Sequence, residues 1–496
     1  MTADLALMPA HQLVKLYKAR EASPVEAVRA ALARIEAFNP QLNAFQHLDP
    51  DGALRAARAS EKRWKKGGKR LSDIDGVPVT IKDMVLTKGM PTRMGSLATD
   101  AEGPWTVDAP AAQRLREAGT VLLGKTTSPE YGWKGVTDSA LFGATHNPWK
   151  IGRTPGGSSG GGVAAEAVGM GNLAVGTDGA GSVRIPCSFT GLFGLKPTQA
   201  RVPLYPTSAQ GTLSHIGPMT RTVRDAALMM NVMARPDPRD PYGRPDDEED
   251  YLKGFDKGVK GLHIAYSPTL GFVERDKIDR DVAVAVENAV KVFKTLGAKV
   301  VEDSPDLQGL DPRKILNAHW QSNVAILVKT FSAEKREMMD RGLLKAAEFG
   351  AHLGQEAVVT AIHQRQQLGT ILNQFMAKYD LLLTPTMPMT AFAVNENAAW
   401  GGDGVDIGWT PFTLTFNLTR QPAATIPCGL DREGLPIGLQ IVSGHARDAL
   451  VLRAAAAYER VRPIPAPPMA HQVSEVLTRP ASSTVICRSA EPMPLS

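Results

Sequence analysis

Two clusters of glycine and serine stand out in this 496-residue chain: Gly156-Gly157-Ser158-Ser159-Gly160-Gly161-Gly162 and Asp178-Gly179-Ala180-Gly181-Ser182. Both are too polar and too flexible to be ordinary core. The second follows the apolar run Leu173 to Val175, which puts it at a strand end, where a sharp turn lets successive backbone N–H groups point into one cavity. Such groups would cradle an anion. If the anion is the oxygen of a tetrahedral intermediate, Gly179, Ala180, Gly181 and Ser182 form an oxyanion hole around a nucleophile, where one donor is worth about 3 kcal/mol. The same residues also read as tight turns or as a phosphate-binding loop. A Walker A loop needs G-x-x-x-x-G-K-[ST], which neither cluster supplies; Gly169-Met170-Gly171 lacks the third glycine of a dinucleotide-binding turn and precedes a strand.

The fragment Gly156 to Gly160 fits the G-x-S-x-G of a nucleophile elbow, which would make Ser158 the nucleophile of a Ser-His-Asp esterase. That elbow needs a preceding strand. Here Lys150 to Pro155 are turn-like, and His352, His363 and His471 fall in helical or tail segments. A third unusual residue is Lys82, delivered at the end of the apolar, β-prone run Val77 to Ile81. Taken alone it reads as a salt-bridged lysine, with Asp83 as its partner.

The elements that must position these residues follow a regular rhythm. Apolar runs at Thr120 to Leu123, Leu173 to Val175, Leu262 to Tyr266, Lys299 to Val301, Leu381 to Leu383, Ala424 to Ile426 and Ile437 to Val442 alternate with helical patterns. This predicts an α/β sheet covered by helices on both faces. Ser23, Pro24 and Glu26 supply an N-cap, a first-turn proline and a capping-box acid for a helix that Asn39-Pro40 ends. A second helix, Asp281 to Leu296, turns Val282, Val286, Ala289, Val290 and Phe293 inward and stops at Gly297. The expected organisation is one domain over residues 1–462, with 267–379 as a peripheral, mainly helical layer. A proline- and serine-rich tail follows over 463–496.

Composition excludes several classes. Hydrophobic residues make up 43% and charged residues 22%, ordinary globular usage, and the net charge of +5 is spread along the chain without the basic stripe of a nucleic-acid binder. No stretch of about 18 apolar residues occurs, and the first ten residues lack a basic region before a long apolar run. Three cysteines, Cys187, Cys428 and Cys487, suit a reducing compartment and offer no thiolate zinc site. The expectation is a cytoplasmic protein with no metal, cofactor, nucleic-acid or membrane partner.

Four ordered motifs carry a family resemblance. They are Gly76-Val77-Pro78-Val79-Thr80-Ile81-Lys82-Asp83, the Gly-Gly-Ser-Ser-Gly-Gly run, Gly176-Thr177-Asp178-Gly179-Ala180-Gly181-Ser182-Val183-Arg184-Ile185-Pro186, and Gly191-Leu192-Phe193-Gly194-Leu195-Lys196-Pro197-Thr198. The chain resembles the amidase signature family from the Ser23 helix through Gly124-Lys125-Thr126 and Asn147-Pro148-Trp149 to Gly434-Leu435-Pro436-Ile437-Gly438-Leu439-Gln440. The resemblance implies a large mixed, twisted sheet and a serine amidohydrolase working through an acyl-enzyme. By it, Ser182 is the nucleophile, Ser158 the bridging serine after a cis peptide bond, and Lys82 the general base. Those roles make chemical sense, because a lysine acts as a base only when burial lowers its pKa from about 10.4 toward the working pH. Ser159, Thr177, Asp178 and Arg184 brace the loops, with Asp178 and Arg184 able to pair. Ala180 stands where the family usually has glycine, and Thr190 where many members have cysteine. An alanine disfavours positive φ, so the hole is expected to differ a little in shape.

Met84, Tyr131, Trp133, Trp400 and Trp409 are expected to line an apolar or aromatic substrate pocket, suiting aryl amides, anilides or carbamates (urethanes). Leu213-Ser214-His215-Ile216-Gly217-Pro218-Met219 resembles the standalone hydrolases, expected as monomer or homodimer. The alternatives are the glutaminase subunit of a tRNA-dependent amidotransferase and a non-catalytic binding protein.

Overall fold

The computed structural model describes residues 4–65 and 69–474. Among them, eleven strands form one sheet: β1 (Phe45–Leu48), β2 (Pro78–Lys82), β3 (Val121–Thr126), β4 (Leu173–Asp178), β5 (Phe193–Lys196), β6 (His215–Thr220), β7 (His263–Tyr266), β8 (Lys299–Glu302), β9 (Leu381–Pro385), β10 (Ala423–Leu430) and β11 (Pro436–Val442). Their spatial order is β1-β3-β2-β4-β6-β5-β10-β11-β9-β7-β8. The sheet is mixed: β2 runs parallel to β3 and β4, while β6, β5, β10 and β11 pair antiparallel in the middle. All eight apolar runs became strands. β1, β5 and β6 were not legible because glycine, proline or polar residues interrupt them; β6 even carries Pro218, opposite Val175, at the centre of the sheet.

The helices that matter for the site are α1 (Pro24–Leu42), α2 (Gly160–Ala167), α3 (Arg184–Thr190), α4 (Arg280–Thr295), α5 (Pro312–Lys329), α6 (Arg341–His352), α7 (Gln355–Met376) and α8 (Pro411–Leu418). The capping box of α1 forms as expected, with Ser23 Oγ accepting from the Glu26 N–H and Glu26 accepting from the Ser23 N–H. Its expected stop is three residues early. Pro40 sits inside the last turn, and the helix ends where Asn43 adopts φ +50° and donates its N–H to the Asn39 carbonyl at 2.8 Å. A proline there forfeits a single helical bond, and the Asn39 side chain anchors the exit by accepting from the Ala44 and Phe45 N–H groups. Helix α4 buries the five residues assigned to its inner face.

Alternation along β2 and β4 sorts their side chains between two layers. Val79, Ile81, Leu173 and Val175 enter one large apolar cluster shared with α4. Residues of the opposite parity, Thr80, Lys82, Ala174 and Gly176, face α2. That helix reads Gly-Gly-Gly-Val-Ala-Ala-Glu-Ala, is wholly buried, and packs on β2, β4 and β6, so its lack of bulk brings the backbone close to the sheet.

The segment from Pro463, expected to be a tail, is packed in its first part. Met469 and Ala470 are buried, and the Arg34 guanidinium of α1 donates to the Ala470 carbonyl at 3.1 Å and the Val168 carbonyl at 2.7 Å. The remainder of that expected tail, 475–496, lies outside the described residues. No helix among the described residues is long and apolar enough to cross a membrane.

In the central pairing Gly217 lies opposite Gly176, and a Cβ at position 217 would overlap the Leu195 carbonyl of β5. Gly217→Ala is therefore expected to lower the thermal unfolding midpoint by several degrees or abolish soluble expression, read by a melting curve beside the parent protein.

Candidate active site

Strand β2 ends inside the molecule, and this fixes the surroundings of Lys82. The side chain is fully buried, and its Nζ donates to Ser158 Oγ at 2.7 Å and Thr177 Oγ1 at 2.8 Å. Among the described residues no carboxylate lies within hydrogen-bond distance of it. Asp83, the partner expected for a structural lysine, points elsewhere and accepts from Gln46 Nε2 at 2.7 Å and from the N–H groups of Arg93 and Gly95. Burial pushes the Lys82 amine down to about 7, against a weaker upward pull from Asp178 and Asp83. A lysine with that value is substantially neutral at physiological pH.

Ser158 lies in the glycine-rich turn before α2, after a cis peptide bond at Gly157-Ser158. It is not in a nucleophile elbow, since no strand precedes it, and His352, His363 and His471 are all exposed. The buried His215 contacts the Leu213 carbonyl through Nδ1 at 2.9 Å and touches neither serine. The Ser-His-Asp reading has no histidine to use among the described residues.

The second cluster leaves the end of β4 and enters α3. Asp178 organises it: Oδ1 accepts from the Gly181 N–H at 2.8 Å, and Oδ2 from the Val183 N–H at 3.2 Å. The Arg184 guanidinium donates to both carboxylate oxygens at 3.0 Å, and both side chains are fully buried. Burial raises the carboxyl's pKa, but Arg184, Lys196 and Asn417 together pull it well below the usual carboxylate range. Arg184 also reaches Gln440 of β11 and Asn417 of α8, which ties this loop to the C-terminal part of the sheet. Ser159 Oγ donates to the Thr177 carbonyl at 3.2 Å, joining the two clusters.

One of the four N–H groups singled out in this loop is already engaged. The Gly181 N–H is engaged by Asp178, whereas those of Gly179, Ala180 and Ser182 have no partner among the described residues. The left-handed backbone falls at Gly181 (φ +134°), not at Ala180, so the alanine is accommodated without strain. Thr413 Oγ1 donates to the Ala180 carbonyl at 2.7 Å and fixes that peptide.

Ser158 and Ser182 face one cavity of about 470 Å³, with no hydrogen bond between their hydroxyls. Met84, Tyr131 and Trp133 line it. Trp409 lines a smaller cavity, which Ser182 also borders. Trp400 does not belong to either: it is 63% exposed, on a surface turn where it adopts φ +58°, so tryptophan content was a poor guide there. Two walls went unforeseen. One is the segment Leu204 to Gln210; the other is the face of α5 bearing Trp320, Asn323, Val324 and Leu327. The stripe Ile315, Leu316, Trp320, Val324, Val328 marks that helix as packed inward, but it reads equally as a structural core face.

A wholly buried lysine hydrogen-bonded to two hydroxyls thus lies beside a serine whose loop carries N–H groups without a partner among the described residues. Known proteins of similar sequence and fold place the chain in a family. The family model Amidase matches residues 26–452. An acylamidase from Rhodococcus erythropolis is 37% identical over 469 residues, covering 93% of this chain and 96% of that protein. A glutamyl-tRNA(Gln) amidotransferase subunit from Chloroflexus aggregans is also 37% identical, covering 89% and 94%. Among solved structures, a bacterial aryl acylamidase of the amidase signature enzymes superposes with a TM-score of 0.85 at 31% identity, covering 92% and 96%. The chain belongs to the amidase family, and it is a hydrolase of carbon–nitrogen bonds in linear amides.

Removing one partner of a buried ion pair strands the other. Arg184→Met is expected to cost roughly 3–5 kcal/mol at pH 7, measured by denaturant unfolding. The deficit should narrow below about pH 4, where the parent loses the stability that its depressed Asp178 carboxyl contributes at higher pH.

Proposed function

We propose that this protein is a standalone amidase in which Lys82 is the general base, Ser158 the relay and Ser182 the nucleophile. The observation that carries the reading is the Lys82 amine, buried and hydrogen-bonded to two hydroxyls. When it is neutral, an N–H bond to Thr177 Oγ1 leaves the lone pair free to accept the proton of Ser158. Ser158 Oγ in turn takes the proton of Ser182 as the Ser182 oxygen attacks the amide carbon. Apo catalytic contacts are often long, so the missing bond between the serines is expected to close when substrate excludes water. The carbonyl oxygen, now negative, is received by the free N–H groups of Gly179, Ala180 and Ser182. Collapse breaks the C–N bond; the proton returns through Ser158 to the departing amine, and Ser182 holds an acyl ester. Water enters where the amine left, gives up a proton along the same path as it attacks, and that proton returns through Ser158 to Ser182 as the ester bond breaks and the acid leaves.

The cavity supports a neutral substrate. Its walls carry no lysine, arginine, histidine, aspartate or glutamate among the described residues, and are built from Met84, Tyr131, Trp133, Trp320, Leu327 and similar groups. Its polar points are uncharged, notably Gln210 and Asn323, which hydrogen-bond to each other at 3.3 Å. Free glutamine carries an ammonium and a carboxylate that would lose water there without an ionic partner. Aryl amides, anilides and carbamates fit better than glutamine, which argues against a glutaminase subunit despite relatives of that kind. We read residues 1–462 as one catalytic unit, acting as monomer or homodimer. Free Cys187 and Cys428 suit the cytoplasm.

The purified chain alone should release 4-nitroaniline from simple nitroanilides, and leave glutamine untouched. Ser182→Ala should be inactive and no longer labelled by a sulfonyl fluoride; Lys82→Ala should lower kcat/KM by about 10²–10⁴-fold. Because the neutral amine is the active form, kcat/KM should climb with pH through a midpoint near 7. A flat profile between pH 5 and 9, or full activity of Lys82→Ala, would sink the assignment.

A further inference from the structure

Ser182 borders two cavities of very different size. The large one holds about 470 Å³; the small one, about 10 Å³, has room for one water- or methyl-sized group. Gly132, Trp133 and Trp320 also line both. Ser158 borders only the large cavity, and Ala180 only the small one.

We infer that this asymmetry sorts the two halves of the substrate: the amine portion occupies the large cavity and the acyl substituent the small one, so the enzyme hydrolyses short-acyl amides of bulky, uncharged amines. This rests on the roles proposed for Ser158 and Ser182. Once the Ser182 oxygen has attacked, the amide carbon carries three other substituents. The oxyanion turns to the free N–H groups of the loop. The amine nitrogen must receive a proton from Ser158 before the C–N bond can break, and Ser158 lies on the large side. The remaining acyl group is directed away from both, past Ala180, into the small cavity.

That cavity has the walls of an acyl site. Ile185, Ile407 and Trp409 are buried there and apolar. Lys134 borders it too, but its ammonium is held by Asp138 at 2.9 Å and by Asn397 at 2.7 Å, and faces Asp340. The indole N–H groups of Trp133 and Trp409, two of its lining residues, are buried without a hydrogen-bond partner among the described residues.

Two substrate series test the sorting with the purified enzyme. With 4-nitroaniline held constant, kcat/KM is expected to fall at least tenfold from acetyl through butyryl to hexanoyl. With acetyl held constant, it is expected to rise at least tenfold from N-methylacetamide to N-(2-phenylethyl)acetamide, whose leaving amines differ little in reactivity. Ile407→Ala and Trp409→Phe should each raise the hexanoyl-to-acetyl ratio several-fold, a change that general damage would not produce. A preference for hexanoyl over acetyl in the parent enzyme, or a ratio unmoved in both variants, overturns the sorting. Ser182→Ala separates the two levels: if it stays active, the underlying roles fail, whereas if it is inactive and long acyl chains are preferred, the sorting alone fails.

Discussion

An amine with no counterion, sealed from water, is the constraint around which this molecule is built. Moving the Lys82 amine from its ordinary value of 10.5 to about 7 disfavours its charged form by roughly 5 kcal/mol, at about 1.4 kcal/mol per unit. That shift persists only while solvent stays out. On one side Val79 and Ile81 lock β2 into the main apolar cluster; on the other, α2 contributes glycines and alanines that let its backbone close over the lysine. Two hydroxyl oxygens then satisfy the amine without charging it. Bulk on α2 would push the helix off the sheet and let water reach the nitrogen, and the amine would return to its charged state.

A second constraint holds the loop beside it. Asp178 accepts from two backbone N–H groups of that loop and from Arg184, and Arg184 reaches residues more than two hundred positions away, Asn417 and Gln440. The strand that delivers the loop is thus clamped to the far half of the sheet. This explains why motifs separated along the chain behave as one unit. The N–H of Gly181 is taken up by the clamp, while those of Gly179, Ala180 and Ser182 keep no partner among the described residues.

The meeting of Lys82 with Ser158, and of Ser158 and Ser182 at one cavity, was more legible than the cavity's walls. The two serines sit in glycine-rich motifs and Lys82 at the end of an apolar run, and every apolar run was a strand because continuous valine, isoleucine and leucine leave little alternative. β5 and β6 were hidden because a sheet's centre tolerates glycine and even Pro218 when its neighbours supply the packing. Trp400 misled for the opposite reason: an aromatic residue near the expected loops carries no information about which way its turn faces. The wall formed by α5 could not be read at all, since Trp320 and Val324 share the periodicity of any inward-facing helix, and only assembly shows that what they face is empty. The occupation of the Gly181 N–H is a matter of geometry that no residue type announces.

Lys82 and the loop after β4 belong to the sheet, while Trp320, Asn323, Val324 and Leu327 belong to a helix of an outer layer that touches the substrate space without holding the reacting groups. Part of the wall around the substrate space is therefore written far along the chain from the lysine and the two serines. Substitutions along α5 can redraw what is accepted while the proton path stays intact, which gives this architecture a route to new diets through one exchangeable wall among several.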